Sequence, residues 1–88
     1  MSKAFRLEIV TPEIAYYDGM VESVIVQTTD GFEGYMADHT PCCKQISRPG
    51  QVSFRPEGEQ EFRKLTLNGG FVKVKGSVLI FTDDTEEA

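Results

Sequence analysis

Turn signals recur so often along this chain that no helix of useful length fits between them. Asp18-Gly19, Asp30-Gly31, Arg48-Pro49-Gly50, Pro56-Glu57-Gly58-Glu59, Asn68-Gly69-Gly70 and Gly76-Ser77 cut 88 residues into short runs. Glycine supplies the positive φ that such turns require, and proline presets its own backbone angle, so these clusters mark reversals. No window longer than ten residues repeats apolar side chains at i, i+3, i+4 and i+7. Period two appears instead, the spacing of a strand with one face in a core.

Phe5, Leu7 and Ile9 alternate with Arg6 and Glu8, a half-buried strand. Thr11-Pro12-Glu13 ends it, either as a turn or as a helix cap with proline at the first helical position. Asp18-Gly19 follows too soon for that helix to extend, so the triplet is read as a turn. Ile14 to Tyr17 then forms a short strand and Met20 to Gln27 a longer one, whose Val24-Ile25-Val26 run implies burial on both faces. Phe32 to Met36 is a strand broken at Gly34, and Ala37 to Pro41 is a loop. Cys42 to Ile46, the stretch around Val52 and Phe54, Phe62 to Leu67, Phe71 to Lys75 and Val78 to Thr82 complete the series. The expectation is an all-β fold, a small flattened barrel or sandwich of nine or ten short strands, mostly antiparallel. It occupies residues 1–84, and 85–88 form an acidic, disordered tail.

The size allows one domain, with about 35 apolar side chains for its core. A chain this short hides roughly 60% of the surface it exposes when unfolded, so its stability is small. Nine basic against fourteen acidic side chains leave a net charge of −5. That balance argues against a general nucleic-acid binder, which needs cations to displace counterions from phosphate. It also disfavours direct docking on anionic lipid. No apolar run is long enough to span a bilayer, and Met1 to Leu7 carries no signal peptide. Cys42 and Cys43 are adjacent, so in an extended chain they point to opposite faces, and a bond between them is strained. They read as reduced thiols of an intracellular protein.

Little here points to catalysis. His39 is the single histidine, with Asp38, Cys42 and Cys43 nearby. A Cys-His pair activates a thiolate, and the same residues offer metal ligands. A closed zinc site takes four, however, and this cluster gives three at best. The plainer reading is a loop histidine bonded to backbone and cysteines filling space as small apolar residues. Glu57/Glu59/Glu61, Asp83/Asp84 and Glu86/Glu87 sit in turns and the tail, where solvated surface is the default. Gly69-Gly70 opens no helix and is not a phosphate loop. Phe32, Tyr35 and Met36 are either core filling or an exposed anchor for a protein partner. Thr28 to Pro41 holds Asp30, Glu33 and Asp38 and no lysine or arginine. Residues 44–75 hold most of the basic side chains, an asymmetry read either as opposed faces meeting different partners or, almost as well, as a solvated surface.

Four segments in order resemble the epsilon-chain family of the F-type ATP synthases, in its N-terminal β-sandwich domain. Phe5 to Glu13 is similar to the family's opening strand and Thr-Pro-Glu turn. Val21 to Val26 is similar to its next strand, with Gln27 where a proline is usual. Asp30-Gly31-Phe32-Glu33-Gly34 leading to His39-Thr40-Pro41 is similar to its Gly-rich hairpin and Gly-His-Ala-Pro loop. Leu67 to Val74 and Val78 to Asp83 are similar to its closing Gly-Gly hairpin. The likeness spans residues 5 to 84. Glu33 stands where the family has leucine, Ala37-Asp38 where it has Pro-Gly, and Cys42-Cys43 where it has Leu-Leu. Typical members continue into a C-terminal helical hairpin, so the resemblance implies a short form without those inhibitory helices.

The resemblance implies a non-catalytic rotor subunit of the central stalk, with no active site, cofactor or metal of its own. It couples rotation of the membrane c-ring to the gamma subunit, and so to ATP synthesis at sites elsewhere. By position, Asp30, Gly31, Phe32 and Glu33 correspond to the c-ring contact, and Thr11, His39 and Lys44 to the gamma-subunit contact. The location implied is peripheral, on the cytoplasmic face of the inner or plasma membrane, or the matrix or stromal face in an organelle. The alternative is a free-standing β-module that binds a peptide or carbohydrate.

Overall fold

The computed structural model describes residues 3–37 and 39–87, with the side chains of 86 and 87 outside that description. Among the described residues nine strands form: β1 Phe5–Val10, β2 Ala15–Thr28, β3 Gly31–Tyr35, β4 Cys42–Gln45, β5 Gly50–Pro56, β6 Arg63–Leu67, β7 Phe71–Lys75, β8 Ser77–Phe81 and β9 Thr85–Glu87. Among the described residues there is no helix. The all-β expectation holds, with nine strands.

The strands make one curled sheet in the order β4-β7-β8-β1-β2-β5-β6-β9, with β3 on β2. The long β2 belongs to both layers. Its first half pairs with β1, from Val10↔Ala15 to Phe5↔Val21. Its second half pairs with β3 and with β5, as in Val24↔Tyr35 and Val24↔Phe54. The curl returns on itself where Thr28 bridges Ile46 and Thr29 N donates to Gln45 O at 2.9 Å. Every pairing is antiparallel except β1 with β8, which run parallel through Leu7↔Val78 to Val10↔Phe81. The connection between those two passes through β2 to β7, so it is long enough to bring β8 back in the same direction.

The alternating residues fill the space between the layers. Leu7, Ile9, Val52, Leu67, Val72 and Ile80 are fully buried, and Phe5, Phe54, Leu65, Val74 and Val78 nearly so. Burying one such side chain contributes about 1.5–3 kcal/mol, and this set is what holds the layers together.

Several local expectations fail for identifiable reasons. Asp18-Gly19 is not a turn: β2 runs straight through it. Gly19 is not among the glycines with positive φ, and Asp18 is held in the ladder opposite Glu8. Arg6 on β1 secures it further, donating from Nε and Nη2 to the two Asp18 oxygens at 2.9 and 2.8 Å. That bond holds the Asp18 carboxyl below its usual range. Gly34 does not break β3; it pairs with Ile25. Ile25 in turn is 36% exposed, so the Val24-Ile25-Val26 run is buried on one face only. Thr85–Glu87, expected in a disordered tail, lies as β9 against β6 in the register Leu67↔Thr85. Asn68 N donates to Asp84 O and guides the chain into that pairing.

Candidate functional site

The β2–β3 hairpin is shaped by Thr28, whose side chain is buried. Its hydroxyl accepts from Asp30 N at 3.1 Å and donates to Gly31 O at 2.9 Å, with Glu33 Oε2 as a second acceptor 3.3 Å away. Gly31 takes φ +112, a left-handed angle natural to glycine, and it faces open space. The turn thereby lifts Asp30 and Phe32 into solvent. Phe32 is 63% exposed, while Tyr35, three pairs further along β3 and on the other face, is wholly buried. Met36 is exposed as well. The Phe32/Tyr35/Met36 group therefore divides: one ring fills the core, and two side chains face outward.

Lys44 reaches this hairpin from β4. Its Nζ lies 3.1 Å from Asp30 Oδ2 and 3.6 Å from Glu33 Oε2. The hydrogen bond to Asp30, with the charge of Glu33 beside it, pushes the Lys44 ammonium above its usual pKa. The structure thus brings together Asp30, Gly31, Phe32, Glu33 and Lys44. Nothing in the sequence signals the Lys44 contact, because it crosses between layers. The role of Thr28 was open to sequence reasoning, since a threonine ahead of Asp-Gly is a common turn stabiliser.

His39 sits at the other end of β3. Its ring meets Tyr35 edge-on with centroids 4.8 Å apart, and Nδ1 donates to Thr40 O at 2.7 Å. Cys42 is half-buried against the core and Cys43 exposed, on opposite sides as adjacent strand residues must be. Asp38 lies outside the described residues, as do the side chains of Glu86 and Glu87. Among the described residues, no three His, Cys, Asp or Glu side chains are grouped to hold a metal. Thr11 stands on a different connection, β1 to β2. Its hydroxyl accepts from Glu13 N and Ile14 N at 3.3 and 3.2 Å, and its own N donates to Ile14 O at 2.8 Å. This is the turn reading, with no helix after it.

Folding pairs several of the basic residues of the middle segment with acids. Lys44 pairs with Asp30, Arg48 with Asp83, Arg55 with Glu22 and Arg63 with Glu59. Lys44, Arg48 and Arg55 meet acids drawn from outside their segment, while Arg63 meets Glu59 within it, so part of the linear segregation becomes local pairing.

Among the described residues the buried Tyr35 hydroxyl has no hydrogen-bond partner beyond the Cys42 thiol, a weak one. Burial first, then the charges of Glu33 and Cys42, pushes its phenol up. The folded state therefore keeps the phenol neutral where the unfolded chain begins to ionise. That contribution to stability is complete below about pH 10 and is lost as pH rises beyond it. Tyr35→Phe is expected to leave stability unchanged or raise it by about 1 kcal/mol at neutral pH. It should also flatten the alkaline decline, as read by urea unfolding across a pH series.

Residues 4–88 match the family model described as the ATP synthase delta/epsilon chain β-sandwich domain. An ATP synthase epsilon chain of Caldanaerobacter subterraneus subsp. tengcongensis is 36% identical over 75 residues, covering 85% of this chain and 53% of that protein. An ATP synthase epsilon chain of Chlorobium limicola is 34% identical over 84 residues, covering 93% of this chain and 92% of that one. The chain thus spans about half the length of the first of these relatives and nearly all of the second. In solved structures, a chain of the Euglena gracilis mitochondrial ATP synthase, in an assembly that includes the c-ring, superposes with a TM-score of 0.87. It is 21% identical, over 96% of this chain and 53% of that one, a likeness of fold.

Proposed function

The chain belongs to the ATP synthase delta/epsilon family through its β-sandwich domain, and on that footing we propose that it is a rotor component of the central stalk. In this reading it is a non-catalytic subunit that links the c-ring to the gamma subunit. The observation that carries it is the family match over residues 4–88, coincident with a sheet that closes into one body. A coupling element must transmit torque without yielding. A continuous ladder whose two layers interdigitate resists shear, because interiors are packed as densely as organic crystals. Sharing β2 between layers makes that resistance greater than two sheets joined only by loops would offer.

The same reading assigns surfaces. Asp30, Gly31, Phe32 and Glu33 face the polar loops of the c-ring, with acids placed to meet basic groups there. Thr11, His39 and Lys44 face gamma. Lys44 also touches Asp30 and Glu33, so it lies on the border of the two surfaces. The chain forms and breaks no bonds; ATP is made at sites carried by other subunits. It is held at the membrane through the complex, on the cytoplasmic, matrix or stromal face.

The test is co-purification. Tagged full chain, recovered from detergent-solubilised membranes of its own cells, is expected to bring gamma and the c-ring with it in constant proportion. Recovery of the chain alone, as a monomer bound to neither, rejects the rotor role and leaves the free-standing binding module.

A further inference from the structure

β3 and β4 lie on either side of the seam where the curled sheet returns on itself, and among the described residues no ladder joins them. Separate contacts hold the seam instead. At one end Thr28, ahead of β3, bridges Ile46, just past β4. Further along, Lys44 meets Asp30 and Glu33. At the far end Tyr35 closes β3 and Cys42 opens β4, and these two are poorly matched. Tyr35 is wholly buried, and its hydroxyl has no hydrogen-bond partner among the described residues beyond the Cys42 thiol. Sulfur of a thiol is a weak acceptor, so a buried O–H is left close to unsatisfied, which is costly in an interior. The His39 ring, edge-on to Tyr35 with centroids 4.8 Å apart, packs against that phenol. Cys42 packs against the core but is only half-buried, so the residue has a side open to water.

We propose that Cys42 is a reversible oxidation site, where hydrogen peroxide converts the thiol to a sulfenic acid whose oxygen accepts the orphaned Tyr35 O–H. The Cys42 thiolate attacks one peroxide oxygen. An S–O bond forms, the O–O bond breaks, and hydroxide leaves and takes up a proton as water. The sulfur loses two electrons and the peroxide gains them. A small thiol such as glutathione reverses the change in two steps. The first forms a mixed disulfide and releases water; the second frees the Cys42 thiol and leaves glutathione disulfide. Cys43 takes no part. It is exposed, stands opposite Lys73 and points to the other face, so it cannot reach Tyr35, and a bond between neighbours on an extended strand is strained. The oxidised sulfur therefore has no internal thiol to resolve it, and the Tyr35 bond protects it. The sign is opposite to ordinary oxidative damage, because the added oxygen gives a buried donor the acceptor it lacks and tightens the seam. Such a site belongs to the folded chain and does not depend on the rotor role; co-purification with gamma, in either outcome, leaves it standing.

The test uses the full chain carrying Cys43→Ser, reduced and then given stoichiometric hydrogen peroxide at about pH 8, where an ordinary thiol is partly ionised. The intact mass is expected to rise by one oxygen atom, and dimedone added together with denaturant is expected to label Cys42. Glutathione should return the mass to its starting value. In urea unfolding, the oxidised chain should show a folded-to-unfolded ratio about fivefold higher than the reduced one, the effect of one good hydrogen bond. With Tyr35→Phe added, that gain should vanish, and glutathione should consume the sulfenic acid about fivefold faster. The chain with Cys42→Ser and Cys43 intact should gain no stability from peroxide. Failure of folded Cys42 to take up oxygen, oxidation that lowers the unfolding midpoint, or an equal gain with Tyr35→Phe overturns the proposal.

Discussion

Gly70→Ala is expected to leave most of the chain unfolded at physiological temperature. Gly70 takes φ +106, where an L side chain is strained by about 1–3 kcal/mol. The added methyl group also lands on the carbonyl oxygen of Phe81, with Phe81 C and Thr82 Cα each 2.9 Å away. Those are backbone atoms, so no rotamer change relieves the clash. Moving the Gly70 backbone instead breaks the bond from Ile46 N to Gly70 O at 2.9 Å, which continues the β4–β7 ladder beyond Gln45↔Phe71. Strain and overpacking together reach about 3–5 kcal/mol. Small domains hold about 5 kcal/mol in all, so the folded population largely disappears. Gly76→Ala is the control. Gly76 also has positive φ, at +73, yet nothing lies within 4 Å of its would-be methyl group. That substitution isolates the conformational cost, about 1 kcal/mol. Urea unfolding of the two variants separates clash from strain, and equal losses would mean that Phe81 gives way more easily than its place in the ladder implies.

The strands legible in the sequence are those whose two faces meet different surroundings. Leu7 and Ile9 on β1, Val52 and Phe54 on β5, Leu65 and Leu67 on β6, and Val72 and Val74 on β7 alternate with polar neighbours, and all of them point inward. β2 escaped that logic. Asp18-Gly19 has the composition of a turn, but Arg6 grips Asp18 from the neighbouring strand and the pair stays extended. Local chemistry lost there to a contact made twelve residues away. The parallel pairing of β1 with β8 was equally hidden, because each strand alone reads the same whichever neighbour it takes.

The candidate site divides along the same line. Asp30-Gly31 announces its hairpin because glycine's freedom is a local property, and the exposure of Phe32 follows from that turn. Lys44 is different. It is fourteen residues from Asp30 and lies on another layer, and only the curl of β2 toward β4 brings them within 3.1 Å. The charge segregation seen along the chain is partly undone for the same reason, since Arg48 and Arg55 find Asp83 and Glu22, acids that sequence distance does not rank.

Reversing the two acids at the hairpin, Asp30→Lys with Glu33→Lys, is the substitution with the largest expected effect on assembly. The native hairpin presents two carboxylates against one ammonium. The reversed one gathers three ammonium groups and faces the same basic loops of the proposed ring contact with the opposite sign. Like charges set against each other across an interface are strongly unfavourable, so retention of the catalytic sector on membranes at low salt should fall at least about tenfold. The neutral pair Asp30→Asn with Glu33→Gln should fall less, because it removes attraction without adding repulsion. Both deficits should shrink as salt is raised, since screening acts most on exposed charges such as Asp30. Thr28 still bonds Gly31 O and Asp30 N is unaltered by the exchange, so the turn itself keeps its shape. Thermal unfolding of the isolated variant checks that point. Retention at low salt that matches the native chain, in a variant that folds, removes Asp30 and Glu33 from the ring contact and moves the search for it to another face.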